Sequence, residues 1–135
     1  MARVPRKQDI VRLMPIVVDR DDARRRLTAT ATGVLTAAEV MAFVDTQRAG
    51  DLRQYALLFD ARQASTRARP ADAVQLAERV ALDAEATGSR GPAAIVAGDG
   101  LFELATLYET YCHGAGVHVI RVFRERDDAE RWLGW

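Results

Sequence analysis

The strongest constraint in the chain is the run Tyr55-Ala56-Leu57-Leu58-Phe59-Asp60, which is apolar on consecutive residues until it ends on a carboxylate. A half-exposed strand alternates apolar and polar residues, whereas a strand apolar at every position needs cover on both faces. Helical patterns stand on either side of this run, so it predicts the central strand of a mostly parallel sheet. A chain of 135 residues has the length of one domain and can bury a real core around such a strand.

The remaining segments follow in order. Met14 to Val18 is apolar and β-branched, but Pro15 lacks a ladder donor, which predicts an edge strand or one starting at Ile16. Asp19-Arg20-Asp21-Asp22 is a turn signal. Leu27, Ala29 and Ala31 then alternate with Arg26, Thr28, Thr30 and Thr32, a strand with one wet face that Gly33 is expected to end. Thr36-Ala37-Ala38-Glu39 is a capping box opening a helix, with Val40, Phe43 and Val44 inward and Gly50 as its stop. Beyond the central strand, Ala61 to Pro70 is expected to be the longest irregular connection and the most basic.

Pro70-Ala71-Asp72 starts a second helix that turns Ala73, Leu76, Ala77, Val80 and Ala84 inward and closes at Gly88. Pro92 to Ala97 is the next strand. Gly98-Asp99-Gly100 leads into a third helix, with Asp99 as its expected N-cap and Leu101, Leu104, Ala105, Tyr108 and Cys112 on its inner face. Val117 to Phe123 is the last strand, and a final helix opening at Asp127-Asp128 buries Ala129, Trp132 and Leu133. The predicted order is β-β-α-β-α-β-α-β-α. This is an α/β fold, a mostly parallel sheet with an N-terminal antiparallel hairpin and helices packed on it through right-handed crossovers. Residues 1–12 are expected to be a flexible basic arm and residues 13–135 a single domain.

Nineteen basic and nineteen acidic residues cancel, so no global field draws the chain to nucleic acid or to an anionic membrane. Eighteen of the basic residues are Arg and only Lys7 is Lys, a bias that makes any single Arg weak evidence for bidentate chemistry. The lone Cys112 excludes an intramolecular disulfide, no signal-peptide h-region follows the basic N-terminus, and no apolar run approaches the roughly 20 residues of a membrane span. A cytoplasmic protein is expected, with no nucleic-acid partner and no membrane insertion.

Three stretches carry a family resemblance: Gly33-Val34-Leu35-Thr36-Ala37-Ala38-Glu39, Leu57-Leu58-Phe59-Asp60-Ala61-Arg62, and the closing run from Val122 to Leu133 with its strand, acidic cap and Trp-Leu ending. In order and spacing, over roughly residues 14–134, they resemble the STAS (SpoIIAA-like) fold of anti-sigma-factor antagonists and small bacterial STAS/SEC14-like proteins. The resemblance implies a non-enzymatic regulatory or binding module. The chain departs from it at one place. Where phosphorylated antagonists carry an Asp-Ser-Ser-Gly motif, this sequence has Arg69-Pro70-Ala71-Asp72, and its hydroxyls, Ser65 and Thr66, lie upstream.

The candidate site gathers at the C-terminal end of the central strand, where α/β sheets bind ligands. Asp60 and Arg62 form a polar pair there. Ser65, Thr66, Arg67 and Arg69 follow with the amides that open the second helix, and Asp99 stands at the end of the neighbouring strand. The plainer reading, and the one preferred on sequence alone, is that Asp60 caps the following turn and the arginines are solvated. Gly98-Asp99-Gly100 lacks the third glycine of a dinucleotide fingerprint, and Asp99 would repel a phosphate. Cys112, His113 and His118 lie close in sequence without a fourth ligand at a recognisable spacing, so no metal and no cofactor are expected. No nucleophile elbow surrounds Ser65, so no enzyme activity is expected. Arg24-Arg25-Arg26 lacks the interleaved aromatics of a nucleic-acid surface. The expected partner is another protein or a second copy in a homodimer. The alternative is a small apolar or anionic, lipid-like ligand beside the central strand, as in the SEC14 part of the resemblance.

Overall fold

The computed structural model describes residues 15–88 and 90–135. The basic arm expected over residues 1–12 lies outside the described residues. Five strands form one sheet in the order β1-β2-β3-β4-β5: β1 Ile16–Asp21, β2 Arg26–Leu35, β3 Ala56–Thr66, β4 Ala93–Ala97 and β5 Ile120–Phe123. β1 pairs antiparallel with β2, and every later pairing is parallel. The helices are α1 Ala37–Arg48, α2 Pro70–Thr87, α3 Phe102–Gly114 and α4 Arg126–Leu133, with a 3-10 turn at Gly50–Gln54.

Each parallel strand is added on the same side of its predecessor, so right-handed crossovers carry α1, α2 and α3 to one face. That face holds the main core, in which Leu27, Ala29, Ala31, Leu57 and Phe59 of the sheet meet Val44, Ala77, Val80 and Cys112 of the helices. α4 follows the last strand and folds to the other face, where Ala129 packs on Leu58, Ala94 and Val96, rimmed by Phe123, Trp132, Leu133 and Trp135. Both faces of β3 are therefore covered, as its unbroken apolar run requires. The expected inner-stripe residues of the four helices pack in these two cores, except Ala73, Leu104 and Ala105, which line a cavity beside the main one.

The structure corrects several boundaries. The turn expected at Asp19–Asp22 lies later, because β1 continues to Asp21 opposite Arg26. The chain reverses over Asp22–Arg25, with Arg25 at φ 55° and the Arg24 N–H donating to Asp21 Oδ1 at 3.1 Å. Gly33 does not end β2. Its φ of +74° absorbs a local distortion that a side chain resists, and β2 runs on to Leu35 opposite Thr66. Gly50 opens the 3-10 turn instead of closing α1, whose C-cap is Ala49. β5 begins at Ile120 rather than Val117, and α4 at Arg126 with Glu125 as N-cap.

The largest correction concerns Ala61 to Pro70, expected as the longest irregular loop. Ala61 to Thr66 is strand, so β3 has eleven residues and only Arg67, Ala68 and Arg69 connect it to α2. Parallel pairing with the second half of β2 overrides the polar composition, and Ala61 and Ala64 are buried. The register slips once. Thr30 faces Asp60 but Thr32 faces Gln63, which leaves one extra residue on β3, a β-bulge next to Asp60.

Leu58 is fully buried beneath α4 and tests the second core. Leu58→Ala should lower unfolding stability by about 2–5 kcal/mol in a denaturant titration. A loss under about 1 kcal/mol would place Leu58 outside a packed core.

Candidate functional site

The bulge in β3 sets the geometry around Asp60. Asp60 is 5% exposed, and its carboxylate accepts from Arg62 Nε (3.0 Å) and Nη2 (2.7 Å), from the Arg62 backbone N–H (3.2 Å) and from Arg126 Nη1 (3.3 Å). Arg126 is shared with Glu130, whose carboxylate accepts from its Nε at 2.9 Å. The side-chain hydrogen bonds from Arg62 hold the Asp60 carboxyl below the usual carboxylate range, against the opposing push of burial, with help from the Arg62 N–H and the Arg126 charge. The expected Asp60–Arg62 pair is thus formed, on the α4 face of the sheet. Arg126 is the member that sequence reasoning missed. It lies 66 residues from Asp60, and one Arg among eighteen carries no signal of its own.

The other expected residues separate from that pair. The Thr66 hydroxyl donates to the Leu35 carbonyl at 2.8 Å and accepts from the Ala68 N–H at 3.0 Å, locking the ends of β2 and β3 together on the α1–α2 side. Ser65 is exposed, and the turn before α3 passes over it. A Cβ on Gly100 would come within 3.0 Å of the Ser65 Cβ, and one on Gly98 within 2.6 Å of the Arg62 carbonyl oxygen. Close backbone approach therefore accounts for the glycines of Gly98-Asp99-Gly100. The expectation that Asp99 caps α3 is corrected: the N-cap is Leu101, without a side-chain cap, and Asp99 reaches outward to accept from Arg124 Nη1 at 2.8 Å. Arg67 and Arg69 are exposed, with no hydrogen-bonded or ion-paired side chain among the described residues.

Between α1, α2, α3 and the sheet lies an apolar cavity of about 120 Å³, lined among others by Val40, Phe43, Phe59, Leu76 and Leu101. It reaches the C-terminal end of β2 and β3, where Ala37, Ala68 and Asp72 lie in its wall. The carboxylates at this end are already engaged by backbone: Glu39 accepts from the Thr36 N–H at 2.8 Å, completing the capping box, and Asp72 accepts from the Arg69 N–H at 2.8 Å. Sequence reading placed these residues on inner stripes but could not tell a filled interior from a hollow one. The available signal was the number of small residues, Ala37, Ala68, Ala73 and Ala105, that line the cavity.

At the opposite end, Gln47 accepts from Arg90 Nη2 at 2.7 Å, and Arg48 approaches Asp83 at 3.6 Å, joining α1 to α2. Cys112 is buried against Tyr108, and burial pushes its thiol up to about 11, away from nucleophilic use. His113 Nε2–H donates to the Ile120 carbonyl at 2.7 Å, with the His118 ring 5.5 Å away. Among the described residues no three His, Cys, Asp or Glu side chains converge as a metal site, and no helix is long and apolar enough to cross a membrane.

No protein-family model matches the sequence, and no curated protein matches it. Among solved structures the chain is similar to an uncharacterised protein of the DUF3478 family with a SpoIIAA-like fold from Shewanella loihica PV-4. The identity is 19%, over 87% of this chain and 91% of that one, with a TM-score of 0.47. It is also similar to the anti-sigma factor antagonist SpoIIAA in its unphosphorylated form, at 13% identity over 89% of this chain and 97% of that one, with a TM-score of 0.48.

Asp60 supplies a pH test. Its folded pKa lies below its unfolded value, so its stabilisation is complete above about pH 4 and drains away as pH falls through the folded value. Asp60→Asn keeps the shape and should cost about 1–3 kcal/mol in urea unfolding near neutral pH. The gap between the two proteins should stay constant down to about pH 5 and narrow below about pH 4. A gap independent of pH would mean that the Asp60 carboxyl is no more acidic in the folded protein than in the unfolded one.

Proposed function

We propose that this protein is a non-enzymatic STAS-like module that works by binding another protein, and that its working surface is the C-terminal end of the parallel strands. One observation carries the reading. At that end Arg62, Arg124 and Arg126 are each held by a carboxylate, whereas Arg67 and Arg69 are exposed and matched by none among the described residues. In a chain whose net charge is zero, these two arginines offer positive charge that no carboxylate among the described residues takes up. The partner presents an acidic surface, and ionic strength weakens the contact.

A second reading, carriage of a small ligand, is favoured by the apolar cavity between the helices and β3. Such clefts at the C-terminal end of parallel strands are the usual ligand positions in α/β sheets.

The first reading is tested with an Arg67→Ala/Arg69→Ala double variant, which leaves the Asp60–Arg62 pair intact. After its melting temperature is matched to the parent, the affinity of the captured partner is measured across a salt series. The variant should bind more weakly and with a shallower salt dependence, each exposed charge being worth up to about 1 kcal/mol. Equal affinity and equal slope would remove these arginines from the contact.

A further inference from the structure

We infer that the cavity between the helices and β3 is a site for one small uncharged hydrocarbon ring, an inference that rests on the second reading above and names its ligand. The size of the guest follows from the space. A volume of about 120 Å³ is on the scale of a dry apolar cavity that admits benzene. Its shape follows from the wall. Phe43 and Phe59 stand with ring centroids 5.3 Å apart, and Tyr108 and Met41 join them in the lining. Aromatic rings and a thioether reward a rigid ring in edge or offset contact, whereas a flexible chain also loses rotamer freedom on entering.

The charge of the guest follows from what the wall offers. Among the lining residues only Thr66, Asp72 and Tyr108 carry polar side chains. The Thr66 hydroxyl is committed as donor to the Leu35 carbonyl and as acceptor from the Ala68 N–H. The Tyr108 phenol stays neutral, its pKa raised mainly by removal from water. Asp72 is the one charged group of the wall, and it opposes an anion. It does not call for a cation either. Its Oδ2 accepts from the Arg69 N–H at 2.8 Å, and it stands in the first turn of α2, where the helix N-terminus favours a carboxylate. A charged guest gives up hydration for a wall that returns little. A hydrocarbon gives up nothing and gains contacts along the whole lining.

Benzene, benzoate and benzylammonium, which put a neutral, a negative and a positive guest on the same ring, are titrated separately into isotopically labelled protein and followed by amide chemical shifts. Benzene should shift amides of the cavity wall, and both ions should bind more weakly by at least about tenfold. Ala105→Leu, on the buried wall, should abolish the benzene shifts; Ala68→Leu, at a partly exposed position of the wall, serves the same purpose should the first substitution unfold the chain. Asp72→Asn keeps an acceptor for the Arg69 N–H, so it should leave benzene unchanged and recover part of the deficit of benzoate. Either ion binding as tightly as benzene would overturn the uncharged ligand and leave the carriage reading standing. Benzene shifts that survive the filled cavity would overturn the site, and an unchanged benzoate deficit in Asp72→Asn would overturn the part given to Asp72. No binding of any of the three would take the carriage reading down as well, with the protein-partner reading left to its own test.

Discussion

A carboxylate on a residue buried in the middle of a sheet stays charged only if fixed cations replace the water it has lost. Asp60 has two, and each ties down a different part of the molecule. Arg62 reaches back from the same strand because the bulge inserts a residue between Asp60 and Gln63 and brings both its N–H and its guanidinium onto the carboxylate. Arg126 arrives from the first turn of α4. A cation at a helix N-terminus is disfavoured by the helix dipole, and here the Asp60 carboxylate and Glu130 offset it.

The tie matters because the sheet is covered unequally. Sequential strand order sends three helices to one face and leaves α4, eight residues long, to cover the other. A helix of that length does not form alone in water, so its existence depends on packing and on anchors. Ala129 sits on Leu58, Ala94 and Val96, and the Arg26 guanidinium lies 4.7 Å from the Trp135 ring centroid, fastening the chain end across β2. The second core thus rests on one buried carboxylate at its top and one aromatic stack at its edge.

The fold was legible because its determinants are local. Consecutive apolar residues at Leu57, Leu58 and Phe59 demand cover on both faces, and Thr36 with Glu39 forms the cap that their spacing specifies. What could not be read depends on pairing. Gln63 and Ser65 look like loop residues, yet they are strand because β2 lies alongside to bond them. Asp99 looks like a cap, yet the turn is pressed so close to β3 that its side chain points outward to Arg124. Of the candidate site, Asp60 and Arg62 were legible as neighbours. Their separation from Thr66, Arg67 and Arg69 was not, because a bulge of one residue changes which face every later side chain takes.

The hollow between α1 and the sheet has a cause in the same sequence features. Thr66 clamps Leu35, two residues before α1, at the top, and at the bottom Arg48 approaches Asp83 of α2 while Gln47 accepts from Arg90 in the connection beyond α2, so the chain is tied at both ends of α1. Between those ends its facing partners include alanines at positions 68, 73 and 105, too short to fill the space that Val40 and Phe43 leave. A helix free to move would settle inward and close such a gap, since unfilled apolar space forfeits dispersion contacts along its whole lining. Polar contacts at both ends oppose that collapse. The cavity is therefore a product of end-pinning combined with small residues in the middle, and a hydrocarbon that enters it recovers contacts the chain's own side chains do not make.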